Sequence, residues 1–316
     1  MNVLVTGGAG FIGSHLVDAL LARGDAVRVL DNFSTGTRTN LAHCAAQIEL
    51  VEGDVRDLAT VERAAQGCHA VLHEAAIVSV AESFMRPEET RDVNAGGAAN
   101  VLHAAREAGA RRVVIASSCA VYGDARALPL GESAPPAPLS PYAETKLAAE
   151  DQCRAACAAK GLDTVALRYF NVFGPRQDPS SEYSGVIARF MQAAIAGRGC
   201  TVYGDGRQSR DFVFVSDVVR ANLLALDAAA LGGVAINVGT GTRTSLLHII
   251  HRLGNLVGKE IAAAFAAARV GDIRHSQADI ARARKLLGYE PAVAFGDGLA
   301  VTLEWYRQQP KARGRG

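Results

Sequence analysis

Short apolar runs alternate with longer helix-like stretches through the first half of the chain. Each run is nearly continuous in Val, Ile, Leu or Ala, and the runs are 2–6, 26–30, 48–52, 70–73, 112–118 and 164–169. Helix-like stretches lie between or after them, at 13–23, 58–66, 87–108 and 141–160. Continuously apolar strands are typical of parallel sheets that are covered on both faces. The alternation therefore predicts an α/β fold with a doubly wound parallel sheet.

The second half of the chain differs from the first in composition, and this difference predicts a second, smaller domain. Pro, Gly and polar residues cluster at 174–185 and again at 197–212. The later run 235–239 again resembles a buried strand of the main sheet. We therefore expect residues 1–173 to form the first domain and residues 174–316 to form most of a smaller α/β domain, with the two domains interleaved.

The charge balance argues against nucleic acid or a membrane surface as a partner. Lys and Arg number 33 and Asp and Glu number 32, so the net charge is +1 and no long-range field attracts polyanions. The most apolar stretch, 221–239, is interrupted by Asn222, Asp227 and Asn237, and we expect no membrane span. A strand-like run follows Met1 directly, so we also expect no secretory signal and a cytoplasmic location.

The six cysteines do not form a metal-binding pattern. Only Cys153 and Cys157 are close in sequence, at helical i, i+4 spacing, and no neighbouring His or Cys pair completes a tetrahedral set. We interpret the cysteines as small apolar side chains of a reduced protein, and we expect no metal site. The basic stretch 310–316 is expected to be a solvated tail.

A glycine-rich turn joins the first predicted strand to the first predicted helix. The strand 2–6 runs into GGAGFIG at 7–13, whose glycines permit a tight turn and let backbone N–H groups at the helix start approach a pyrophosphate. Asp31 ends the second strand, where its carboxylate can accept the hydroxyls of an adenosine ribose and repels a 2′-phosphate. The glycines alone would also fit a structural strand–helix turn. Together with Asp31 they predict a Rossmann site for NAD rather than NADP.

A second constellation combines Tyr142, Lys146 and Ser118. Ser140 and Pro141 are a favourable N-cap and first residue of a helix, which places Tyr142 in the first turn and Lys146 one turn later on the same face. The lysine charge and the helix N-terminus should lower the pKa of Tyr142 and suit it to acid–base work on a hydroxyl. Ser118 ends a predicted strand, where open α/β sheets bind ligands. Its hydroxyl either orients the same substrate oxygen or caps a turn.

A series of ordered stretches resembles the extended short-chain dehydrogenase/reductases that act on nucleotide sugars, and specifically the UDP-hexose 4-epimerases. The resemblance covers essentially the whole chain. The matching stretches are VTGGAGFIGSHL (5–16), DNFSTG (31–36), GDVRD (53–57), HEAAIVSV (73–80), SSCAVYGD (117–124), SPYAETK (140–146), RYFNVFGPRQDP (168–179), GDGRQSRDFVFVSD (204–217) and RVGDIRHSQADI (269–280).

The resemblance implies roles for individual residues. It implies a catalytic set of Ser118, Tyr142 and Lys146. It implies that tightly bound NAD contacts Gly7, Gly10, Phe11, Ile12, Gly13, Asp31, Asn32, Asp54, Val55, Ala75, Asn94, Tyr142, Lys146 and Phe170. It implies that a UDP-sugar contacts Ser79, Ser118, Tyr142, Asn171, Arg210, Arg269, Asp272 and Ser276. The two arginines suit a pyrophosphate. Residues 1–173 would then be the NAD-binding domain, and residues 174–316 mainly the UDP-sugar-binding domain.

The mechanism implied by the resemblance is oxidation and re-reduction at sugar C4. Tyr142 takes the proton of the 4-hydroxyl while C4 gives a hydride to NAD, and the 4-keto sugar turns over and takes the hydride back on its other face. Relatives that eliminate water or carbon dioxide carry an acidic residue just after the catalytic Ser or Thr, where this chain has Cys119 and Ala120. This favours plain 4-epimerisation, with a packing role for Cys119. A non-catalytic NAD-binding sensor would have no reason to keep Ser118, Tyr142 and Lys146, and a scaffold would have no reason to keep Arg210 and Arg269.

The residue at position 276 bears on the choice of sugar. In the resembling family this position lies near the sugar C2 substituent, and a bulky tyrosine there accompanies restriction to UDP-glucose and UDP-galactose. Ser276 leaves room for an acetamido group, which predicts interconversion of UDP-N-acetylglucosamine and UDP-N-acetylgalactosamine, with the non-acetylated pair as poorer substrates. A UDP-glucose or a UDP-glucuronate 4-epimerase is the alternative, in which Ser79, Val80 or the loop 178–187 decides the sugar.

The long helix-like stretches 87–108 and 141–160 are rich in alanine. The resemblance implies that the corresponding helices of two subunits pack as a four-helix bundle, which predicts a homodimer. Packing within one subunit is the rival interpretation. The alanines concerned are Ala98, Ala99, Ala104, Ala105, Ala148, Ala149, Ala155 and Ala156.

Overall fold

The structure, a computed structural model, describes residues 1–125, 127–159, 161–178, 185–268 and 273–309. Strands of the described chain are β1 Asn2–Thr6, β2 Ala26–Asp31, β3 Ile48–Glu52, β4 Ala70–His73, β5 Arg112–Ser118, β6 Asp163–Tyr169, β7 Asn171–Phe173, β8 Cys200–Tyr203, β9 Ser209–Arg210, β10 Phe212–Phe214, β11 Ala235–Val238, β12 Thr244–Ser245 and β13 Ala263–Ala266. Its α-helices are α1 Phe11–Ala22, α2 Leu58–Ala65, α3 Val80–Met85, α4 Pro87–Arg91, α5 Gly97–Glu107, α6 Pro141–Ala158, α7 Val186–Ile195, α8 Val215–Asp227, α9 Leu246–Val257, α10 Ala281–Leu287 and α11 Phe295–Gln308.

A parallel sheet forms the centre of the fold. Within the described ranges it has seven strands in the order β11-β6-β5-β4-β1-β2-β3. The strand order changes direction between β1 and β4, and open α/β sheets bind ligands beside the carboxyl ends of the strands at such a point. The predicted doubly wound α/β fold is therefore confirmed. The carboxyl ends of β1, β4, β5 and β6 place Thr6, His73, Ser118 and Tyr169 at one edge of the sheet.

Two apolar layers cover the faces of this sheet. Leu16 of α1 and Val218 of α8 are fully buried against one face. Val61 of α2, Val101 of α5 and Cys153 of α6 are buried against the other. Burial on both faces explains why most of the strands are continuously apolar in sequence.

A third apolar cluster lies outside the main sheet. It joins Phe173 of β7, Phe214 of β10, Ile249 of α9 and Leu299 of α11. Two-residue to four-residue strand pairs support this region: β7 pairs with β10, β8 with β13 and β9 with β12. The division of the chain at residue 173 stays a prediction.

Two features of the sheet and its helices differ from the sequence-based expectation. The edge strand β3 is not covered on both faces: its Leu50 is 39% exposed, and among the described strands it pairs with β2 alone. The stretch predicted as one helix over 87–108 consists of α4, a π-helical turn at Asp92–Gly96 and α5. The π turn contains Asn94, whose side chain is hydrogen-bonded to Ile77 and to Thr145 of α6.

Half of the alanines that suggested a subunit interface are buried within one subunit. These are Ala98, Ala104, Ala105 and Ala149, which belong to the core beneath α5 and α6. Ala99 and Ala155 are exposed. The rival interpretation therefore accounts for four of the eight alanines, and the homodimer stays a prediction.

No helix among the described residues combines the length and the apolar character needed to cross a membrane.

Candidate active site

In the turn between β1 and α1, backbone atoms lie so close to Gly7 and Gly13 that a side chain would not fit at either position. Gly7 has a φ of +69°, and a Cβ atom there would lie 2.7 Å from the Ala75 nitrogen. A Cβ atom on Gly13 would lie 2.1 Å from the Gly7 carbonyl oxygen. Gly10 is the N-cap of α1 and has no side chain with which to cap the first-turn N–H groups of Phe11 and its successors. An uncapped helix N-terminus above a glycine turn fits the pyrophosphate of a dinucleotide.

The carboxylate of Asp31 lies beside this turn at the end of β2. It is 7% exposed and accepts hydrogen bonds from the backbone nitrogens of Ala9, at 2.9 Å, and Phe33, at 2.8 Å. Each carboxylate oxygen keeps a further lone pair for a ribose hydroxyl. Asn32 donates a 2.9 Å hydrogen bond to Asp54, whose pKa is lowered to about 2 chiefly by the hydrogen bond from Arg56. These residues fit the adenosine half of NAD.

Asn94, Val55 and Phe170, which are also predicted to contact NAD, lie buried in different segments of the chain. The Asn94 amide nitrogen donates to the Ile77 carbonyl oxygen at 3.0 Å and to Thr145 at 3.1 Å, so both of its hydrogens are used within the protein. Val55 and Phe170 are almost fully buried. Asn94 therefore ties the segment after β4 to α6, which is a positioning contact.

The predicted catalytic residues lie together above the carboxyl end of β5. The Ser140 hydroxyl accepts a 3.2 Å hydrogen bond from the Ala143 nitrogen and caps α6, with Pro141 at its first position. Tyr142 and Lys146 are only 8% and 6% exposed. The Lys146 ammonium lies 5.8 Å from the centre of the Tyr142 ring and donates a 2.9 Å hydrogen bond to the Ala116 carbonyl of β5.

The Ser118 hydroxyl combines the two roles that its position suggested. It accepts a 3.1 Å hydrogen bond from the Ala120 nitrogen and so caps the short 3-10 turn that follows β5. It is also a hydrogen-bond partner of the Tyr142 phenol, and this contact lowers the pKa of Tyr142. Ser118 therefore faces the phenol while it caps the turn.

The prediction that the pKa of Tyr142 is lowered is wrong for the protein groups that surround it in this structure. Burial raises the pKa of Tyr142 to about 12, and the contact with Ser118 offsets this only in part. Lys146 does not act as expected because its ammonium is directed at the Ala116 carbonyl oxygen. Burial also lowers the pKa of Lys146 to about 8.

A buried ion pair that the sequence analysis missed holds α6 against the sheet. Glu150, one turn after Lys146, accepts hydrogen bonds from Arg168 at 2.8 and 2.7 Å and from Ser117 at 2.6 Å. Ser117 precedes Ser118 on β5, and Arg168 lies on β6. The glutamate therefore fixes the register of α6 over the strand that carries Ser118.

The predicted substrate residues surround β9 and β7. Arg210 donates a 3.0 Å hydrogen bond to the Ser209 carbonyl oxygen, and the Asn171 nitrogen donates to the Asp211 carbonyl oxygen at 2.9 Å. The Asn171 amide oxygen is buried without a hydrogen-bond partner, which suits a ligand contact. Asp211 is fully buried and accepts hydrogen bonds from the backbone nitrogens of Thr240, Gly241 and Ala278.

Ser276 lies beside Cys119, which directly follows β5. It is 5% exposed, and its hydroxyl is a hydrogen-bond partner of the Cys119 thiol. The parallel bridge between Ser209 and His275 holds this segment beside β9. Ser79 is the N-cap of α3 and accepts a 3.0 Å hydrogen bond from the Glu82 nitrogen. Arg269 and Asp272 lie outside the described residues.

Residues 3–239 match the NAD dependent epimerase/dehydratase family. The chain belongs to this family. The match spans β1 to the end of β11 and contains the glycine turn, Ser118, Tyr142 and Lys146.

This epimerase/dehydratase is similar to named 4-epimerases over nearly its whole length. It is 42% identical over 313 residues to the UDP-glucose 4-epimerase of Mycolicibacterium smegmatis, covering 98% of this chain and 99% of the relative. It superposes on the UDP-glucose 4-epimerase of Thermotoga maritima, solved with UDP-glucose, with a TM-score of 0.92, 36% identity and coverage of 97% and 99%. It superposes on the UDP-N-acetylglucosamine 4-epimerase of Methanobrevibacter ruminantium M1, in complex with UDP-N-acetylmuramic acid, with a TM-score of 0.94, 36% identity and coverage of 98% and 99%.

Membership confirms three predictions from sequence: the family, the use of NAD and the identification as an enzyme of the epimerase type. The roles of individual residues in this epimerase/dehydratase stay predictions.

One further acidic side chain reaches the candidate active site of this epimerase/dehydratase. Glu74 follows β4 directly, and its carboxylate accepts a 2.7 Å hydrogen bond from the Tyr169 phenol. Burial raises the pKa of Glu74 to about 7, although the hydrogen bond from Tyr169 and the charge of Lys146 lower it. The sequence analysis included Glu74 in a matching stretch without giving it a role. An acidic residue at the end of a buried strand was the signal that could have identified it.

A cluster of metal-ligating types occurs away from the catalytic residues. Single donor atoms of Asp18, His43 and Cys44 lie within 4.8 Å of one another. The Asp18 carboxylate is already paired with His43 and with Arg176, both at 2.7 Å. An arginine on the carboxylate opposes cation binding. The expectation that the protein has no metal site stays a prediction.

Proposed function

We propose that this chain is an NAD-dependent 4-epimerase of UDP-hexoses, with UDP-N-acetylglucosamine and UDP-N-acetylgalactosamine as its preferred pair. The observation that carries the proposal is the clustering of Ser118, Tyr142 and Lys146 at the carboxyl edge of the sheet, the same edge at which the glycine turn follows β1. The similarity to named UDP-sugar 4-epimerases supports the choice of reaction.

The glycine turn and Asp31 would hold NAD, which would supply a hydride acceptor and donor for the sugar C4. The Tyr142 phenol oxygen takes the proton of the 4-hydroxyl and later gives it back. The Ser118 hydroxyl, which already contacts the phenol, holds the same substrate oxygen. The Lys146 ammonium lies 5.8 Å from the centre of the phenol ring, and it would favour the ionised phenol if it approached the phenol oxygen.

The substrate diphosphate is assigned to Arg210, which is partly exposed on β9, and to the Asn171 amide. A guanidinium suits a diphosphate because its planar N–H groups bind two oxygens at once. Asp211 supports the site because its buried carboxylate connects the segments at 240–241 and 278. Arg269 and Asp272 complete the proposed diphosphate and ribose contacts.

The residues after Ser118 support epimerisation rather than elimination. Elimination requires an additional acid or base beside the catalytic hydroxyl. Cys119 occupies that position, and burial raises the pKa of its thiol to about 11, so it stays neutral at ordinary pH. Ala120 has no ionisable group.

The small Ser276 side chain supports the N-acetylated sugars. Its contact with Cys119 links it to the strand that ends at Ser118, so a larger side chain at 276 would extend towards the reacting sugar. UDP-glucose 4-epimerase activity is the second candidate, because two of the similar proteins are so named. UDP-glucuronate is a weaker candidate, since no described cation can be assigned to its carboxylate.

The test is an assay of the purified protein without added NAD. We expect bound NAD to be released on denaturation, and we expect kcat/KM for UDP-N-acetylglucosamine to exceed that for UDP-glucose. A higher kcat/KM for UDP-glucose would overturn the sugar assignment and favour the second candidate. Bound NAD without turnover of any UDP-hexose would overturn the enzymatic proposal and favour a sensor.

A further inference from the structure

A cavity of about 390 Å³ lies beside the paired strands β9 and β12. Its volume is within the usual range of small-molecule sites. Of the described residues predicted to contact NAD or a UDP-sugar, none lines it. Two serines, two arginines and two histidines line it: Ser209, Ser245, Arg207, Arg243, His248 and His275. The cavity is therefore polar and cationic, and the proposed function gives it no role.

The strand register places this cavity on the opposite side of β9 from Arg210. Ser209 of β9 pairs with Ser245 of β12 and forms a bridge with His275, so these three side chains share one face. Because successive side chains alternate, Arg210 and Ser276 point to the other face. Ser276 is accordingly buried, whereas His275 is half-buried at the cavity. A ligand in the cavity and a diphosphate at Arg210 would lie on opposite faces of one strand.

The cations of the cavity lack partners of opposite charge. In the part of the chain that the structure describes, the side chains of Arg207, Arg243 and His248 are exposed and make no hydrogen bond or ion pair. Asp205, which precedes β9, accepts a 2.9 Å hydrogen bond from the Arg207 backbone nitrogen. Its two carboxylate oxygens are bound by Arg274 at 2.8 and 2.7 Å. The nearby carboxylate is therefore committed to Arg274, and the guanidinium groups that line the cavity remain available to an anion.

The His275 ring lies in a positive field. Burial lowers the pKa of His275, and the charges of three arginines lower it further. The charge of Asp205 offsets this only in part. The three arginines are Arg243, Arg274 and Arg210. An anion placed among these groups would be attracted by all of them.

We propose that this cavity is a second anion site, separate from the one assigned to Arg210, and that it binds the phosphate or diphosphate group of a small molecule. The planar guanidinium groups of Arg207 and Arg243 suit such a group because each binds two phosphate oxygens at once. The Ser245 hydroxyl accepts the His248 backbone nitrogen at 3.2 Å and keeps its own hydrogen to donate to a phosphate oxygen. No step of the proposed 4-epimerase reaction uses this site, so the proposal goes beyond that function.

The two histidines supply a local readout of the cavity. The holoenzyme, saturated with UDP to occupy the substrate site, is titrated with inorganic pyrophosphate at constant pH and ionic strength. The ring signals of His248 and His275 are followed by NMR and assigned with His248→Gln and His275→Gln. We expect both signals to move along one saturation curve, because a bound anion changes the field at both rings. Sulfate should require at least about tenfold higher concentration, since it carries less charge than pyrophosphate.

Substitutions of single arginines test the placement of the ligand. Arg207→Gln and Arg243→Gln should each weaken pyrophosphate binding about tenfold or more, because each removes charge-assisted hydrogen bonds. Arg91→Gln is the matched control, since Arg91 is an exposed arginine of α4 that does not line the cavity, and it should leave binding unchanged. Arg210→Gln should weaken UDP far more than pyrophosphate.

Three results would overturn the second site. The first is the absence of movement of the His248 and His275 signals at millimolar pyrophosphate. The second is a movement that disappears when UDP is added, which would place pyrophosphate in the substrate site. The third is an equal effect of Arg91→Gln and Arg243→Gln, or an equal response to sulfate and pyrophosphate, which would show general charge screening. Each of these results leaves the proposed 4-epimerase function standing.

Discussion

Lys146 lies one helical turn after Tyr142 on α6, with its ammonium 5.8 Å from the centre of the phenol ring and 2.9 Å from the Ala116 carbonyl oxygen. The Ala116 carbonyl therefore holds the ammonium near the carboxyl end of β5, since Ala116 directly precedes Ser117 and Ser118 on this strand. This arrangement keeps a positive charge near the phenol before any ligand binds.

Tyr142→Phe tests the assigned base. We expect the variant to fold and retain NAD, because Tyr142 makes few contacts through its hydroxyl, and to lose turnover by at least about a thousandfold. Steady-state kinetics, with bound NAD quantified after denaturation, measure both effects. Ser118→Ala is the matched comparison, and it should lose less because the phenol remains. Near-normal turnover by Tyr142→Phe would show that Tyr142 is not the base.

Gly13→Ala tests the close approach in the glycine turn. The added Cβ would lie 2.1 Å from the Gly7 carbonyl oxygen, so the turn must open. We expect a loss of about 1–3 kcal/mol in the free energy of unfolding, together with loss of bound NAD. Gly96→Ala is the control, since a Cβ there meets no atom within 4 Å and the φ of −63° is helical. Equal stability and NAD content in the two variants would contradict the role of the turn.

Much of the fold could be predicted because its strands are buried on both faces and its turns use Gly, Ser and Pro. Ser140 and Pro141 locate the start of α6, and the sheet follows from apolar runs. The interactions of Glu150 with Arg168 and of Glu74 with Tyr169 could not be predicted, because each depends on how two different elements pack, which sequence spacing does not report. The pKa of Tyr142 was assigned the wrong direction because burial, which sequence spacing does not report, exceeds the nearby favourable contacts.

Ser276→Tyr tests the sugar assignment. The ring must extend from a position that is 5% exposed and in contact with the Cys119 thiol, so it should occupy the space of an acetamido group. We expect kcat/KM for UDP-N-acetylglucosamine to fall about 10–200-fold and that for UDP-glucose to change little. Ser276→Ala removes only the hydroxyl and should keep both activities. Unchanged use of the acetylated sugar by the tyrosine variant would show that another residue sets specificity.

Glu74 also predicts a pH dependence of stability. Its pKa in the folded chain, about 7, is above its ordinary value of 4.5, so between these values the folded state binds a proton that the unfolded state releases. The wild type should therefore lose stability relative to Glu74→Gln as pH rises from about 4.5 to about 7, by roughly 1–3 kcal/mol. Chemical denaturation across this range measures the difference. A difference that is constant with pH would mean that the carboxyl titrates normally.

In the proposed reaction, the hydrogen removed from the sugar C4 returns to C4 of the same molecule. Incubation of the purified protein with a UDP-hexose deuterated at C4, in ordinary water and without added NAD, tests this directly by NMR of the product. We expect the 4-epimer to form with its deuterium retained at C4. Formation of the 4-epimer with hydrogen from solvent at C4, or the absence of any 4-epimer from acetylated and non-acetylated UDP-hexoses alike, would contradict the account.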